Sequence, residues 1–142
     1  MVNTWLLIAA SIGVIAVLLH VFTFERWIWD HLGYDCFPAT PFGEPRVARS
    51  YYRIIWHSFT VFLLINIVTC ILVGVGTLVP YGMLLIYFLL FFWILILVEI
   101  LFVMAMSLEP GESYIKGLFR SFQWIFVLLI IIAMYLGTTY TV

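Results

Sequence analysis

The sequence predicts an all-α integral membrane protein, folded as a bundle of four transmembrane helices. Of its 142 residues, 66% are hydrophobic and only 9% are charged, a balance outside the range of soluble globular domains. A helix needs about 20 consecutive apolar residues to cross a bilayer. Four stretches are long enough, and they leave no length for a soluble domain. We therefore expect a single integral membrane domain over residues 1–142, with spans at about 4–24, 54–78, 81–106 and 118–137.

The positive charges predict how the bundle is oriented in the membrane. All six Lys and Arg residues lie in or beside the segments 25–53 and 107–118, whereas the termini and the turn at 78–81 carry none. Loops rich in Lys and Arg stay on the cytosolic side of a membrane. We therefore expect an N-out/C-out protein with a long cytosolic interfacial loop between helices one and two.

The first helix carries a stripe of small residues that leads to a histidine. Ala9, Gly13, Ala16 and His20 are separated by four, three and four residues, and at about 100° per residue they share one narrow face. Small residues in a membrane helix mark the face that packs against another helix. We therefore expect His20 to point into the bundle and not into lipid.

The loop between helices one and two contains a helical and an extended part. Helix is expected to continue to about residue 32, with Gly33 as its C-terminal stop. The aromatic residues of this segment make it amphipathic, as in an interfacial element. The proline-rich run 38–45 predicts an extended crossing. Pro45 then suits the first position of the second helix.

The start of the second helix carries a stripe of basic side chains. Arg46, Arg49, Arg53 and His57 follow one another at spacings of three, four and four residues, so they share one face. They could bind an anionic ligand or anionic lipid headgroups, or they could simply anchor the helix at the interface. Asn66 lies about 180° away from His57, and we expect it to hydrogen-bond a neighbouring helix or a second copy.

The third helix is apolar on every side, so most of it is expected to face lipid. A tight turn at 79–82 predicts that helices two and three form an antiparallel hairpin. Glu99 is the only ionisable residue of the third span. The fourth helix is expected to begin near Leu118 and to end at Gly137.

The predicted topology brings ionisable residues from three helices to the cytosolic half of the membrane. His20, His57 and Glu99 form this layer, with Glu25 and Arg53 at its rim. Ionisable groups at such depth usually face a cavity, a partner or a ligand. We expect a divalent metal site with His20, His57, Glu99 and Glu25 as ligands. A haem held between the two histidines is the less favoured cofactor, and a proton relay or a transported cation is a further alternative.

Two functions from different classes follow from this layer. The first is a ligand-binding membrane protein that serves transport or redox chemistry. The second is a structural or accessory subunit whose polar residues only fix helix packing, assembled as a homo-oligomer or in a larger membrane complex. The sequence has no phosphate loop, no H-E-x-x-H motif and no nucleophile paired in sequence with a base, which disfavours an enzyme. It also lacks the basic patch with exposed aromatic residues that would indicate a nucleic acid partner.

Three helices carry short polar motifs: His20-x4-Glu25 in the first, Arg53-Ile-Ile-Trp56-His57 in the second and Gln123-Trp124 in the fourth. In these motifs the chain resembles a group of small four-helix bacterial integral membrane proteins without an assigned activity. The long proline-rich first loop departs from that pattern. The resemblance implies the same architecture in the plasma (inner) membrane of a prokaryote. It singles out His20, Glu25 and His57, and it implies no activity.

Overall fold

The computed structural model describes residues 2–37, 39, 43–77, 81–106, 108, 113–115 and 123–139. These residues form helices and contain no β-strand, which confirms the all-α prediction. The helices are α1 (Thr4–Thr23), α2 (Pro45–Gly74), α3 (Gly82–Met106) and α4 (Gln123–Thr139). Between α1 and α2 lie a π-helical turn and two short 3₁₀ turns, at Phe24–Ile28, Trp29–His31 and Tyr34–Cys36.

Three of the four expected spans are long and apolar enough to cross a membrane: Thr4–His31, Pro45–Gly74 and Gly82–Met106. This finding agrees with an integral membrane protein. The fourth, α4, has 17 described residues, and its expected start near residue 118 lies outside the described residues. The side of the membrane on which each loop lies stays a prediction.

The ends of α2 follow from its sequence. Pro45 is its first residue, as expected, and the carbonyl of Glu44 accepts hydrogen bonds from the amides of Val47 and Ala48. At the other end Gly76 adopts a φ of 80°. The amide of Gly76 donates to the carbonyl of Val73 and that of Thr77 to the carbonyl of Leu72, which is the Schellman pattern. This motif ends α2 at Gly74, four residues before the expected boundary at residue 78, because the chain turns left-handed at Gly76.

Two compact units can be distinguished in the chain. One, the loop unit, is Val14–Ile65, and the other, the terminal unit, comprises Met1–Gly13 and Asn66–Val142. The single domain expected over residues 1–142 stays a prediction. Each unit is described separately below. The loop unit contains the predicted site residues except Glu99 and Asn66.

In the terminal unit, Asn3 joins the ends of three helices. Its side-chain Oδ1 accepts the amide of Leu6, which caps the start of α1. Its Nδ2 donates to the carbonyl of Gly137 at 2.7 Å, and its backbone amide donates to the carbonyl of Gly74 at 2.7 Å. Each of these carbonyls lies near the described C-terminal end of its helix, where carbonyls commonly need a donor from outside the helix. Asn3 supplies such a donor to both.

Glycine gives close packing where Asn3 approaches α2 and α4, because an added Cβ would crowd leucine side chains of α1. A Cβ added at Gly137 would lie 2.7 Å from Leu6 Cδ2, and one added at Gly74 would lie 3.0 Å from Leu7 Cδ2. Gly13 has the same role further along α1, since a Cβ there would lie 2.8 Å from Cγ1 of Ile67 in α2. The predicted small-residue packing face of α1 is therefore confirmed at Gly13. Small residues let helix backbones approach closely in membranes.

The third helix packs against α4 in the terminal unit and leaves most of its own surface uncovered. Only 17% of its apolar window is buried. The buried residues of its first three turns lie on one stripe at helical spacing: Gly82, Ile86, Leu89, Leu90 and Trp93. This distribution agrees with the expectation that most of α3 faces lipid. Asn66, expected to have a helix-packing role, is 2% exposed on α2.

Candidate functional site

The π turn after α1 carries the acid of the candidate site. The amide of Trp29 donates to the carbonyl of Phe24, five residues earlier. Such a turn rotates each residue by less than an α-helix does, and isolated π turns are frequent at functional sites. On an uninterrupted α-helix, Glu25 would be turned about 140° away from His20. In the structure both His20 and Glu25 contact side chains of α2.

The carboxylate of Glu25 bridges two side chains that lie one turn apart on α2. Arg53 Nη2 donates to Glu25 Oε2 at 2.8 Å, and Arg53 Nε lies 3.3 Å from Oε1. His57 Nε2 lies 2.9 Å from the same Oε1. We call these three residues the Glu25 cluster. Their side chains are 29%, 46% and 41% exposed for Glu25, Arg53 and His57, so a ligand could reach all three.

The hydrogen-bond roles within the Glu25 cluster depend on the tautomer of His57. An ionised carboxylate accepts hydrogen bonds, so a neutral imidazole that bonds Glu25 donates through Nε2 and leaves the lone pair of Nδ1 free. Glu25 and Arg53 have opposite formal charges and contact each other directly.

The Arg49 side chain donates hydrogen bonds to backbone carbonyls at the end of the segment that follows α1. Its Nε donates to the carbonyl of Leu32 at 2.7 Å and its Nη2 to the carbonyl of Trp29 at 3.1 Å. The guanidinium also lies 4.0 Å from the centre of the Trp29 ring and 5.1 Å from that of Tyr34. Arg49 therefore caps a helix end from the neighbouring helix, a role that the basic stripe in the sequence did not indicate.

The three arginines of the predicted anionic-ligand stripe thus have different surroundings. Arg53 is held by Glu25, and its guanidinium also lies 4.8 Å from the Trp29 ring centre. Arg49 bonds backbone carbonyls. Arg46 is exposed at the start of α2. The binding of an anionic ligand or lipid headgroup by Arg46, Arg49 and Arg53 stays a prediction.

His20 is part of an aromatic stack. Trp56 of α2 stacks on the His20 ring at 4.3 Å and 8°, and on the Phe24 ring at 4.3 Å and 15°. His20 and Phe24 are one turn apart on the first helix, and Phe24 is fully buried. The Nε2 of His20 and the Nε1 of Trp56 are buried, and neither has a hydrogen-bond partner among the described residues. His20 therefore faces α2, where its ring lies against Trp56; that it points into a four-helix bundle stays a prediction.

The four predicted metal ligands are brought together only in part. Glu25 and His57 are in direct contact. Burial of the His20 Nε2 would hinder that atom from reaching a metal or a haem. Glu99 is exposed on α3 and belongs to the terminal unit. Within the described part of the chain, no group of three or more His, Cys, Asp or Glu side chains could hold a metal ion. A metal site of His20, His57, Glu99 and Glu25 therefore gains no support from the geometry.

An open groove of about 500 Å³ lies beside the Glu25 cluster. The hydroxyls of Ser50 and Ser58 donate to carbonyls four residues earlier on α2, so they are already satisfied. Arg53 and His57 therefore supply the charged and titratable groups of the groove. The lining residues are Trp29, Ser50, Arg53, Ile54, His57, Ser58 and Val61.

Sequence reasoning missed the two tryptophans that shape this site. The Trp29 ring contacts the guanidinium groups of Arg49 and Arg53, and the Trp56 ring stacks on His20 and on Phe24. Trp56 directly precedes His57, and its i+4 relation to Tyr52 marks an aromatic face on α2. The sequence shows that spacing, but it does not show that this face of α2 packs against His20 and Phe24.

A search of protein-family models, of curated proteins and of solved structures gives no match to this chain.

Proposed function

We propose that this chain is a small multi-pass membrane protein in which the Glu25 cluster binds and releases a proton, as a step in the movement of protons across the membrane. The observation that supports the proposal best is the 2.9 Å contact between His57 Nε2 and Glu25 Oε1. Histidine is the side chain whose charge ordinarily changes between pH 5 and 8. The carboxylate of Glu25, which is held by Arg53, orients the imidazole ring of His57.

The depth of His57 in α2 also supports a role in proton movement. It lies 17 residues before the last residue of α2, a rise of about 26 Å, against a hydrocarbon core of about 30 Å. If α2 ends near one edge of the core, His57 lies just inside the other edge. Titratable groups inside membranes are costly and commonly belong to proton or ion pathways. The groove beside the cluster provides an opening through which protons or water could reach the imidazole.

The charges of the cluster favour a proton over the other ligands considered. A divalent metal usually takes four or more ligand atoms, whereas the described contacts join a single carboxylate to a single imidazole. An anion would meet an arginine that is already neutralised by Glu25. A proton needs only the free lone pair of the His57 ring.

Proton flux through reconstituted liposomes tests the proposal. Purified protein is placed in liposomes with an entrapped pH-sensitive dye, and a potassium diffusion potential supplies the driving force. We expect wild type to acidify or alkalinise the lumen according to the sign of the potential. His57→Gln should reduce the flux to the level of empty liposomes, because glutamine keeps a hydrogen-bond donor but cannot take up a proton.

The matched control is His31→Gln. His31 is exposed, and its Nδ1 lies 2.6 Å from the Trp27 carbonyl, away from the contacts of Glu25. This variant should conduct like wild type. Equal flux in wild type and His57→Gln, or no flux above empty liposomes in wild type, would contradict a proton role for the cluster.

A further inference from the structure

Glu99 is an acid on the outer surface of a membrane-spanning helix. It is exposed on α3, seven residues before the end of that helix at Met106. At 1.5 Å per residue this is about 10 Å from the helix end. Among the described residues Glu99 has no hydrogen-bond or ion-pair partner. An ionisable side chain at such a position normally faces a partner or a cavity, because lipid cannot solvate it.

The direction of the Glu99 side chain hinders its carboxylate from reaching water at the membrane interface. Side chains of an α-helix tilt toward its N-terminus. For Glu99 the N-terminal direction leads toward the middle of the span, since the nearer end of α3 is the C-terminal one. Long Lys and Arg side chains near helix ends can reach the interface, but a glutamate has only two methylenes with which to do so.

The surface around Glu99 is apolar and uncovered. Leu95, Val98, Phe102 and Val103 lie within one turn of it, and all four are exposed, at 46%, 58%, 64% and 56%. The buried face of α3, which includes Leu89 and Trp93, packs within the terminal unit and does not compete for this surface. A helix docked on it would cover apolar side chains and one carboxylate together.

We propose that this surface, centred on Glu99 and formed by Leu95, Val98, Phe102 and Val103, docks a transmembrane helix of another protein that carries a Lys or Arg at the same depth. The complementary charge is the argument for such an occupant. A basic partner would neutralise Glu99 in the membrane and provide a hydrogen-bond donor there. This proposal is independent of proton binding at the Glu25 cluster.

A second copy of this chain fits the surface less well. A two-fold contact through α3 would place two Glu99 side chains opposite each other, which is unfavourable when both are charged. No Lys or Arg occurs in α1, α3 or α4. In α2, Arg49 and Arg53 are held within the loop unit, and Arg46 is the second residue of the helix. Among the described helices, none therefore offers an unengaged basic residue within its span.

Photo-crosslinking in the membranes of the native cell tests this surface. The photoreactive residue p-benzoylphenylalanine replaces Phe102, which lies almost one turn from Glu99, and replaces Tyr87 in a matched control. Tyr87 is also exposed on α3, at 54%, but lies about 18 Å away along the helix. We expect an adduct from position 102 whose crosslinked peptide is a transmembrane segment containing Lys or Arg, and no such adduct from position 87.

A Glu99→Leu background shows whether the charge matters. The adduct from position 102 should fall about tenfold, which corresponds to about 1.4 kcal/mol of association free energy. Because Glu99 is a surface residue, the variant should keep the elution profile and thermal stability of wild type. Adducts with lipid alone, adducts with a second copy of this chain, adducts with a segment that lacks Lys and Arg, or an adduct unchanged in Glu99→Leu would each overturn the proposal.

Discussion

Replacement of Arg49 by alanine should destabilise the loop unit much more than replacement of Arg46. Arg49 donates to two carbonyls at the end of the segment after α1, at 2.7 and 3.1 Å, and lies over the Trp29 ring. Arg46 is exposed on the same helix face. A comparison of Arg49→Ala with Arg46→Ala therefore distinguishes the loss of the capping contact from the loss of a positive charge at the same end of α2.

The size of the effect follows from the contacts. A hydrogen bond to a charged group is worth about 1.5–3 kcal/mol, and a cation–π contact at a partly exposed site about 0.5–1 kcal/mol. Because Arg49 is only half-buried, competition with water reduces this sum, and we expect Arg49→Ala to cost about 2–3 kcal/mol. Arg46→Ala should stay within about 0.5 kcal/mol of wild type. The loss of stability in Arg49→Lys should lie between these two values, since an ammonium group cannot reproduce the planar, forked donors of the guanidinium.

Unfolding by a denaturing detergent, followed by tryptophan fluorescence, measures these differences. Amide hydrogen exchange provides a local readout, because loss of the cap should speed exchange in residues 29–36 before it affects α3 or α4. If Arg49→Ala is no more destabilising than Arg46→Ala, the two carbonyl contacts do not stabilise the folded protein. Accelerated exchange in Arg49→Ala that is spread evenly over all helices would likewise contradict a local capping role.

Three further outcomes are expected. Asn3→Ala should lower the free energy of unfolding by about 2 kcal/mol, since it removes an N-cap and a hydrogen bond to a second helix; an effect under about 0.5 kcal/mol would show that Asn3 does not join the helix ends. Gly137→Ala should cost about 1–3 kcal/mol because its Cβ would lie 2.7 Å from a leucine methyl, whereas Gly33→Ala, with nothing within 4 Å of its Cβ, should be tolerated. Single cysteines introduced at Ala39 and Thr139, in a background without the exposed Cys36, should react with impermeant reagents from opposite sides of sealed vesicles. Labelling of both from one side would refute the predicted topology.

The sequence by itself determined that this chain forms apolar helices and where several of them begin and end. Hydrocarbon-length runs of apolar residues predict helices because a chain in lipid must satisfy its own backbone. The end of α2 was expected four residues beyond its observed end at Gly74, but Pro45 at its start acts through its own backbone preference. Such features depend on one short window of sequence, so they can be read without the fold. The packing face at Gly13 is of the same kind.

Only the tertiary structure decided which polar groups meet. On a regular helix Glu25 is turned about 140° away from His20, so residue spacing alone did not place both of them against α2. In the structure Glu25 lies in the π turn and bonds Arg53 and His57, while His20 stacks on Trp56. Arg49 looked like another member of a basic stripe until the carbonyls of Trp29 and Leu32 were placed beside it. Pairings of this kind depend on how two helices are rotated and shifted relative to each other. Residue spacing within a single helix does not determine either quantity.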